Sequence, residues 1–522
     1  MNSVRFRLKA SIEFSTPIES AKNEINEALN LASPLLTKGT PKGKEGEGAK
    51  LVNWLLAENK LKLELESGRY VRAHDALLRL KKYLAERLGS RLKVGVRGLI
   101  IDEYEISIPR DEVAPSVDAQ KIIGATGTVI LKDSFLVLTF QELTERDILD
   151  RVIDRALKLL IRPKVVPLTP KATLVSFGYV LKSSPPKSIK FREEVSVVAE
   201  KLGWIKRFPA RGQWILTAPI TALLKAIRDL ITNKVCIPLD FQEWFFPRLL
   251  PFSVLEKLST YVEHLPEGMF YVCTPPRDPE AFEEFKKEYA LRRILRTDLL
   301  KSILPPPSYV LDAVQCPPFY QFFSGELVRA ESLPIKVFDC MGGWTWRNEA
   351  GGVEGLARTN EFWRMEMVYL GTPDQVVEIR DKIVEATIEL VNKDLELEWR
   401  LTVGAPFYLA PEEAKKRTID ISSSKSIPAL DIECYLPYRG PREQSEWLEI
   451  SSCNIHMQHY VKAFKIREVK GKELWTGCTG HGLTRWATAI LAQYGFDFDE
   501  WPKTLRNTIK KLPQPIKIVT WP

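Results

Sequence analysis

The 522-residue sequence has no run of 18 or more uncharged apolar residues, so no membrane-spanning helix and no membrane partner are expected. Cysteine is scarce. Seven scattered cysteines, an odd number, fit a reducing cytoplasm better than a disulfide framework. The opening residues, MNSVRFRLKASIEF, place charges where a signal peptide needs its apolar core, so secretion is not expected. Internal repeats are also absent. What remains is an ordinary globular composition, 45% hydrophobic and 27% charged, which excludes a mostly disordered or collagen-like chain. The length suggests two to four domains. A net charge of +8 permits a nucleic-acid partner without requiring one.

The charge is unevenly spread. Residues 51–100 carry 11 basic and 5 acidic side chains, whereas residues 101–150 carry 4 and 11. Leu77, Leu78, Leu80, Tyr83, Leu84 and Leu88 predict a helix over about 72–89 with one buried stripe. Arg72, Arg79, Lys82 and Arg87 then stand on its other side, with Arg79 and Lys82 neighbours on one face. Two such charges can engage successive phosphates, although a basic helix face by itself is more often only solvated. Residues 4–14, 61–65, 94–109 and 127–141 read as strands, and 38–50 as a Gly/Lys/Glu loop. Residues 1–160 are therefore expected to form an α+β domain, followed by a proline-rich linker over 161–195 and a second domain over 196–522.

The second domain holds WRNEAGGVEGLARTNEFWRMEMVYLG, residues 346–371. Charged and apolar residues alternate over Glu361–Tyr369, which predicts a strand with Phe362 and Glu366 on one face. Arg347 and Glu349 share a face of an earlier strand, and Gly351, Gly352 and Gly355 mark the turn between the two. An arginine beside a carboxylate is usually only an ion pair. Joined by a planar ring it suits a nucleotide: Arg347 on phosphate, Glu349 on an adenine amino group, Phe362 stacked on the base. Further on, Gly477, Gly480 and Gly482 precede a helix over about 483–494. The glycine spacing is wrong for a dinucleotide fingerprint, but Arg485 at the helix start suits a phosphate chain.

Taken together, R-x-E, then R-x-x-x-F (Arg358 and Phe362), then G-x-G-x-x-R resemble motifs 2 and 3 of class II aminoacyl-tRNA synthetases. Pro247, in FQEWFFPRLL after a helix at about 217–233, stands in the place of the motif 1 proline. The phrases SGRYVRAHDALLRLKKYLAE, AVQCPPFY, CYLPYRGP and GCTGHGLTRWA bring the closer resemblance, to the archaeal, methanogenic-type (type 2) seryl-tRNA synthetases. That resemblance spans the whole chain, and the lack of a heptad-bearing arm agrees with the type 2 variant. It implies an α+β protein: an antiparallel catalytic sheet flanked by helices, a homodimer built through Pro247, and an N-terminal tRNA-binding domain using Arg79, Lys82 and Arg97. It also implies a cytoplasmic, ATP-dependent ligase that joins serine to tRNA(Ser), and to tRNA(Sec) as a further acceptor, through a seryl-adenylate.

The same resemblance assigns site roles. Arg347, Glu349, Arg358, Phe362 and Arg485 bind ATP, and Glu449 and Ser452 bind Mg²⁺. Cys316, Glu366 and Cys478 hold one zinc ion, whose open fourth position takes the substrate amino group. Taken singly, each of the three reads as an ordinary core or strand residue. A competing trio, Cys453, His456 and His459, is spaced by three, so on a strand its members face opposite sides. Departures from the family gather around the amino acid: Phe407 and Pro411 where a tryptophan and a glutamine are usual, Ser452 and Asn454 in place of asparagine then serine, and Thr484 for a glutamate. They leave two alternatives, a paralogue activating another small, threonine-like amino acid, or a ligase loading a carrier protein. The basic N-terminal domain argues against the latter.

Overall fold

The computed structural model describes residues 4–114, 118–141, 143–161, 173–340, 344–348, 352–406, 414 and 417–516. It divides into two compact units, residues 1–167 and 168–522.

In the first unit six antiparallel strands form one sheet. Arg5–Phe14 lies between Lys60–Ser67 and Val96–Pro109; Ala49–Ala57 and the hairpin of Gly127–Lys132 with Phe135–Phe140 complete the two sides. Strict alternation along Arg5–Phe14 buries Phe6, Leu8, Ala10 and Ile12. The predicted helix runs Ala73–Leu92 and seats Leu77, Leu80, Leu84 and Leu88 in the same core. His74, also buried, has Nδ1 2.8 Å from the Tyr104 hydroxyl and Nε2 3.3 Å from Asp154, tying this helix to Val152–Leu160.

The second unit is built on a nine-stranded sheet, antiparallel except where Gln242–Glu243 pairs parallel with Ile335–Asp339 at one edge. From that edge the order is Ile335–Asp339, Glu361–Gly371, Trp475–Gly482, Leu448–Met457, Ala429–Cys434, Trp399–Val403 and Val180–Ser183. The last strand falls within the stretch expected as a linker, and Pro185 and Pro186 follow it at the sheet edge, where a missing ladder donor costs little. Trp344–Trp346 pairs with Glu361–Gly371 as a hairpin, but this first strand ends one residue before Arg347, which was expected on it, and Glu349 lies outside the described residues.

The pleat of Glu361–Gly371 sorts its residues. Met365, Met367 and Tyr369 pack under the helices Ala218–Ile231, Pro373–Glu389 and Leu483–Tyr494. Val368 and Leu370, on the opposite face, join a second apolar cluster with Phe319, Tyr320 and Phe464. Phe362, Arg364 and Glu366 share that opposite face, where the second cluster gives way to an open cleft.

Candidate active site

The cleft, about 190 Å³, lies over the middle of this sheet. Phe362, Arg364 and Glu366 form one wall; Cys478, Gly480 and Gly482 from the neighbouring strand form the floor, with Glu449, Ser452 and Asn454 beyond. Glu449 and Ser452 are three apart, so an unbroken strand would turn one of them away. A bulge resolves this. Glu449 sits opposite Glu433 while Ser451 sits opposite Ile432, leaving Ile450 as the extra residue.

Arg347 follows the hairpin's first strand, its N–H bonded to the Asn360 carbonyl at 2.9 Å. Its Nε donates to the Ala313 carbonyl at 2.9 Å, and its guanidinium lies 5.8 Å from the Phe362 ring centroid. Arg485, in the first turn of Leu483–Tyr494, donates from Nε to the Ala357 carbonyl at 3.3 Å and from Nη1 to the Glu449 carbonyl at 3.2 Å. Its Nη1 is also 3.6 Å from the Glu449 carboxylate. Two arginines, an aromatic ring and a carboxylate thus line one cleft, an arrangement that can hold a polyphosphate and a stacked base.

At the other end, Cys316, Glu366 and Cys478 present ligand atoms all within 4.8 Å of one another, each buried. Cys316 is the N-cap of Pro317–Phe322. Both Glu366 oxygens are buried without a hydrogen-bond partner, although Arg364 Nη2 stands 2.6 Å from Oε2 as an ion pair off hydrogen-bond alignment. The Cys478 thiol is held well above its ordinary range, first by its hydrogen bond with Cys316, then by burial and the charge on Glu366. Two sulfurs and a carboxylate this close are stable together as neutral thiols or around a cation, and the donor set is one zinc favours.

The competing trio does not converge. Cys453 packs in the core under the helices, whereas His456 faces the other way, with Nε2 3.5 Å from the Cys478 sulfur. Burial pushes His456 down to about 3, so its imidazole is neutral. The histidine is therefore a neighbour of the first cluster, and among the described residues the trio forms no group of its own.

Other expected residues are placed as follows. Asn454 Nδ2 donates to Ser452 Oγ at 3.0 Å. Arg358 stands outside the cleft, on the hairpin loop, 3.2 Å from Glu446. Pro247 is exposed, between the exposed Phe245 and Leu249. Lys82 and Arg97 are exposed, but Arg79 is half-buried and donates to the Leu35 and Lys38 carbonyls at 3.2 and 2.7 Å. Glu349, Phe407 and Pro411 lie outside the described residues.

Two charged cleft residues, Arg364 and Asp431, are not among those expected from the sequence. Arg364 shares the parity of Phe362 and Glu366, a signal that was available. Its guanidinium lies directly over Gly480, where an added Cβ would fall 2.1 Å from Nη2. Asp431, from the next strand, has its carboxyl pushed well above the usual range by burial and then by the charge on Glu449. Nothing local in the sequence marks it.

An antiparallel sheet with helices packed on one face, and on the other a cleft carrying paired arginines, a ring and clustered ligands, defines the class II tRNA synthetase core. The family model "tRNA synthetase class II core domain (G, H, P, S and T)" matches residues 306–494, and a "tRNA-binding domain" model matches residues 4–162. The chain is 41% identical to the type-2 serine–tRNA ligase of Methanocaldococcus jannaschii, over 99% of this chain and 98% of that one. It is 38% identical to the Methanopyrus kandleri type-2 serine–tRNA ligase, over 99% of each. A solved structure of M. kandleri SerRS in complex with A. aeolicus tRNASec aligns over 100% of both chains, with 37% identity and a TM-score of 0.69. The chain belongs to the type-2 serine–tRNA ligase family.

Proposed function

We propose that the protein attaches serine to tRNA in two steps within this cleft. The observation that carries the reading is the convergence of Arg347, Phe362 and Arg485 at one end and Cys316, Glu366 and Cys478 at the other. Arg347 binds the α-phosphate of ATP, Phe362 stacks on the adenine, and Arg485 takes the terminal phosphates; Arg358, on the hairpin loop, is assigned to ATP as well. Glu349 accepts from the adenine amino group. Glu449 and Ser452, brought to one face by the bulge, hold Mg²⁺.

Cys316, Glu366 and Cys478 hold zinc, which when bound supplies an open coordination position for the amino group of the amino acid. Arg364 stands 2.6 Å from Glu366 Oε2 and holds the carboxylate in place. The serine carboxylate attacks the α-phosphorus in line, and the two arginines stabilise the charge that develops as pyrophosphate leaves. A ribose hydroxyl at the 3′ end of tRNA then attacks the adenylate carbonyl, forming the aminoacyl ester as the acyl–phosphate bond breaks; AMP leaves and the hydroxyl proton is released. The Asn454–Ser452 hydrogen bond presents polar atoms to a side-chain hydroxyl, which a site built to bond it can distinguish from hydrogen. Lys82 and Arg97, with Arg79 beside them, contact tRNA phosphates, and tRNA(Ser) and tRNA(Sec) are the acceptors. The exposed Phe245, Pro247 and Leu249 form the homodimer contact.

ATP–pyrophosphate exchange with each of the twenty amino acids tests the reading. Serine-dependent exchange is the expected result. Exchange driven by threonine alone overturns the substrate and keeps the class, and no exchange with any amino acid overturns both.

A further inference from the structure

Arg248 is not among the residues that line the cleft and, although it follows Pro247 in FQEWFFPRLL, has no role assigned above. Its side chain is nevertheless 15% exposed, and it meets two carboxylates that are 0% exposed. Nη1 donates to Asp312 Oδ2 at 2.9 Å and Nη2 to Asp339 Oδ2. The buried Gln315 amide, with its oxygen turned towards the guanidinium, accepts from Nη1 and Nη2 at 3.2 and 3.0 Å.

Both carboxylates sit on segments that lead straight to the site. Asp312 is held on every side: its N–H donates to the Arg248 carbonyl at 2.9 Å, its Oδ1 accepts from the Val314 N–H at 2.9 Å, and its carbonyl accepts from the Trp346 N–H at 3.0 Å. The next carbonyl, Ala313, is the one that anchors Arg347 Nε. Two residues past Val314 the same turn delivers Cys316. Asp339, for its part, is the residue opposite Glu366 in the antiparallel register.

We infer that Arg248 is a positioning residue for the reaction, fixing the turn that carries Cys316 and anchors Arg347 relative to the strand pair that carries Glu366. The inference rests on the reading of the cleft as a synthetase site. A guanidinium meets two carboxylates at once in one planar arrangement, whereas an ammonium on a flexible stem meets them one at a time. Arg248 therefore sets geometry as well as charge. A residue that only neutralised Asp312 and Asp339 would be replaced by lysine without consequence for rate.

The test is Arg248→Lys in the full-length protein. Circular dichroism and melting temperature report the fold, zinc release to a chelating dye reports the ligand cluster, and serine-dependent exchange reports kcat and KM. Outer-shell partners of metal sites typically affect affinity or activity by roughly 10–100-fold. The lysine variant should fold, release zinc faster and lose kcat by factors in that range, with KM for ATP little changed. Wild-type kcat and zinc release in a folded Arg248→Lys protein would overturn the inference. If lysine prevents folding, Arg248→Met with Asp312→Asn and Asp339→Asn removes the buried charges together. Wild-type kcat in that variant overturns the proposal, and slowed turnover with quickened zinc release supports it. The underlying reading fails separately, if the unmodified protein shows no exchange with any amino acid.

Discussion

Gly480→Ala is a small perturbation with a large expected effect. The added Cβ would stand 2.1 Å from Arg364 Nη2, 2.4 Å from Nε and 2.5 Å from Cζ. The end of an arginine can often swing aside, but this one is only 13% exposed and is paired with the buried Glu366 at 2.6 Å. To clear the methyl it must retreat by about 1 Å, and opening the pair by that distance weakens it by about 2 kcal/mol at an effective dielectric near 20. Misplacement of that size beside reacting groups costs on the order of 100-fold in rate. Serine-dependent exchange should therefore drop by about that factor in kcat/KM, with a lower melting temperature. In an Arg364→Met background the same alanine should cost far less, because the two effects share one contact. Wild-type kinetics and melting in Gly480→Ala, or full additivity in the double variant, would refute the reasoning.

Other expectations use the same assays. Arg347→Ala and Arg485→Ala should each lower exchange on the order of 100-fold or more with circular dichroism unchanged, since each removes a donor to developing charge. Cys316→Ala or Cys478→Ala should abolish stoichiometric zinc, measured by elemental analysis, together with amino-acid activation. Lys82→Ala with Arg97→Ala should reduce the slope of log K against log salt for tRNA by roughly two times 0.7–0.9, leaving adenylate formation intact. Acid should destabilise the second unit. His456 and His481 are both pushed down to about 3, first by burial. Their contribution is present above the unfolded value near 6.5 and is lost as pH falls from there towards 3, at roughly 1.4 kcal/mol per pH unit for each. Urea unfolding at pH 7 and pH 5 measures it, and equal stability at both would contradict buried neutral imidazoles.

Local pattern made the secondary structure legible, and distance in sequence hid the rest. The helix Ala73–Leu92 and the strand Glu361–Gly371 follow from spacings of leucines and of alternating polar residues, which a sequence displays directly. Glu449 and Ser452 could be matched to a motif, but their common face depends on a bulge set by the partner strand. Arg79 looked like a free cation because its carbonyl partners lie 44 and 41 residues away. Arg248 gave no signal at all, since its carboxylates are 64 and 91 residues distant. Arg364 is different: it was visible by parity, between two residues already chosen.

One strand, Glu361–Gly371, carries Phe362, Arg364 and Glu366 on the same face, and this makes it a ruler. The ring proposed to receive the base and the carboxylate proposed for the amino-acid end are joined by four residues of pleated backbone, about 13 Å that no side-chain motion can stretch. Lengthening the strand by one residue would turn one of them to the helix layer. A change of amino-acid substrate therefore cannot be accommodated by sliding the nucleotide along. It has to be written into the neighbouring strands, at positions such as Ser452 and Asn454, which are free of that constraint.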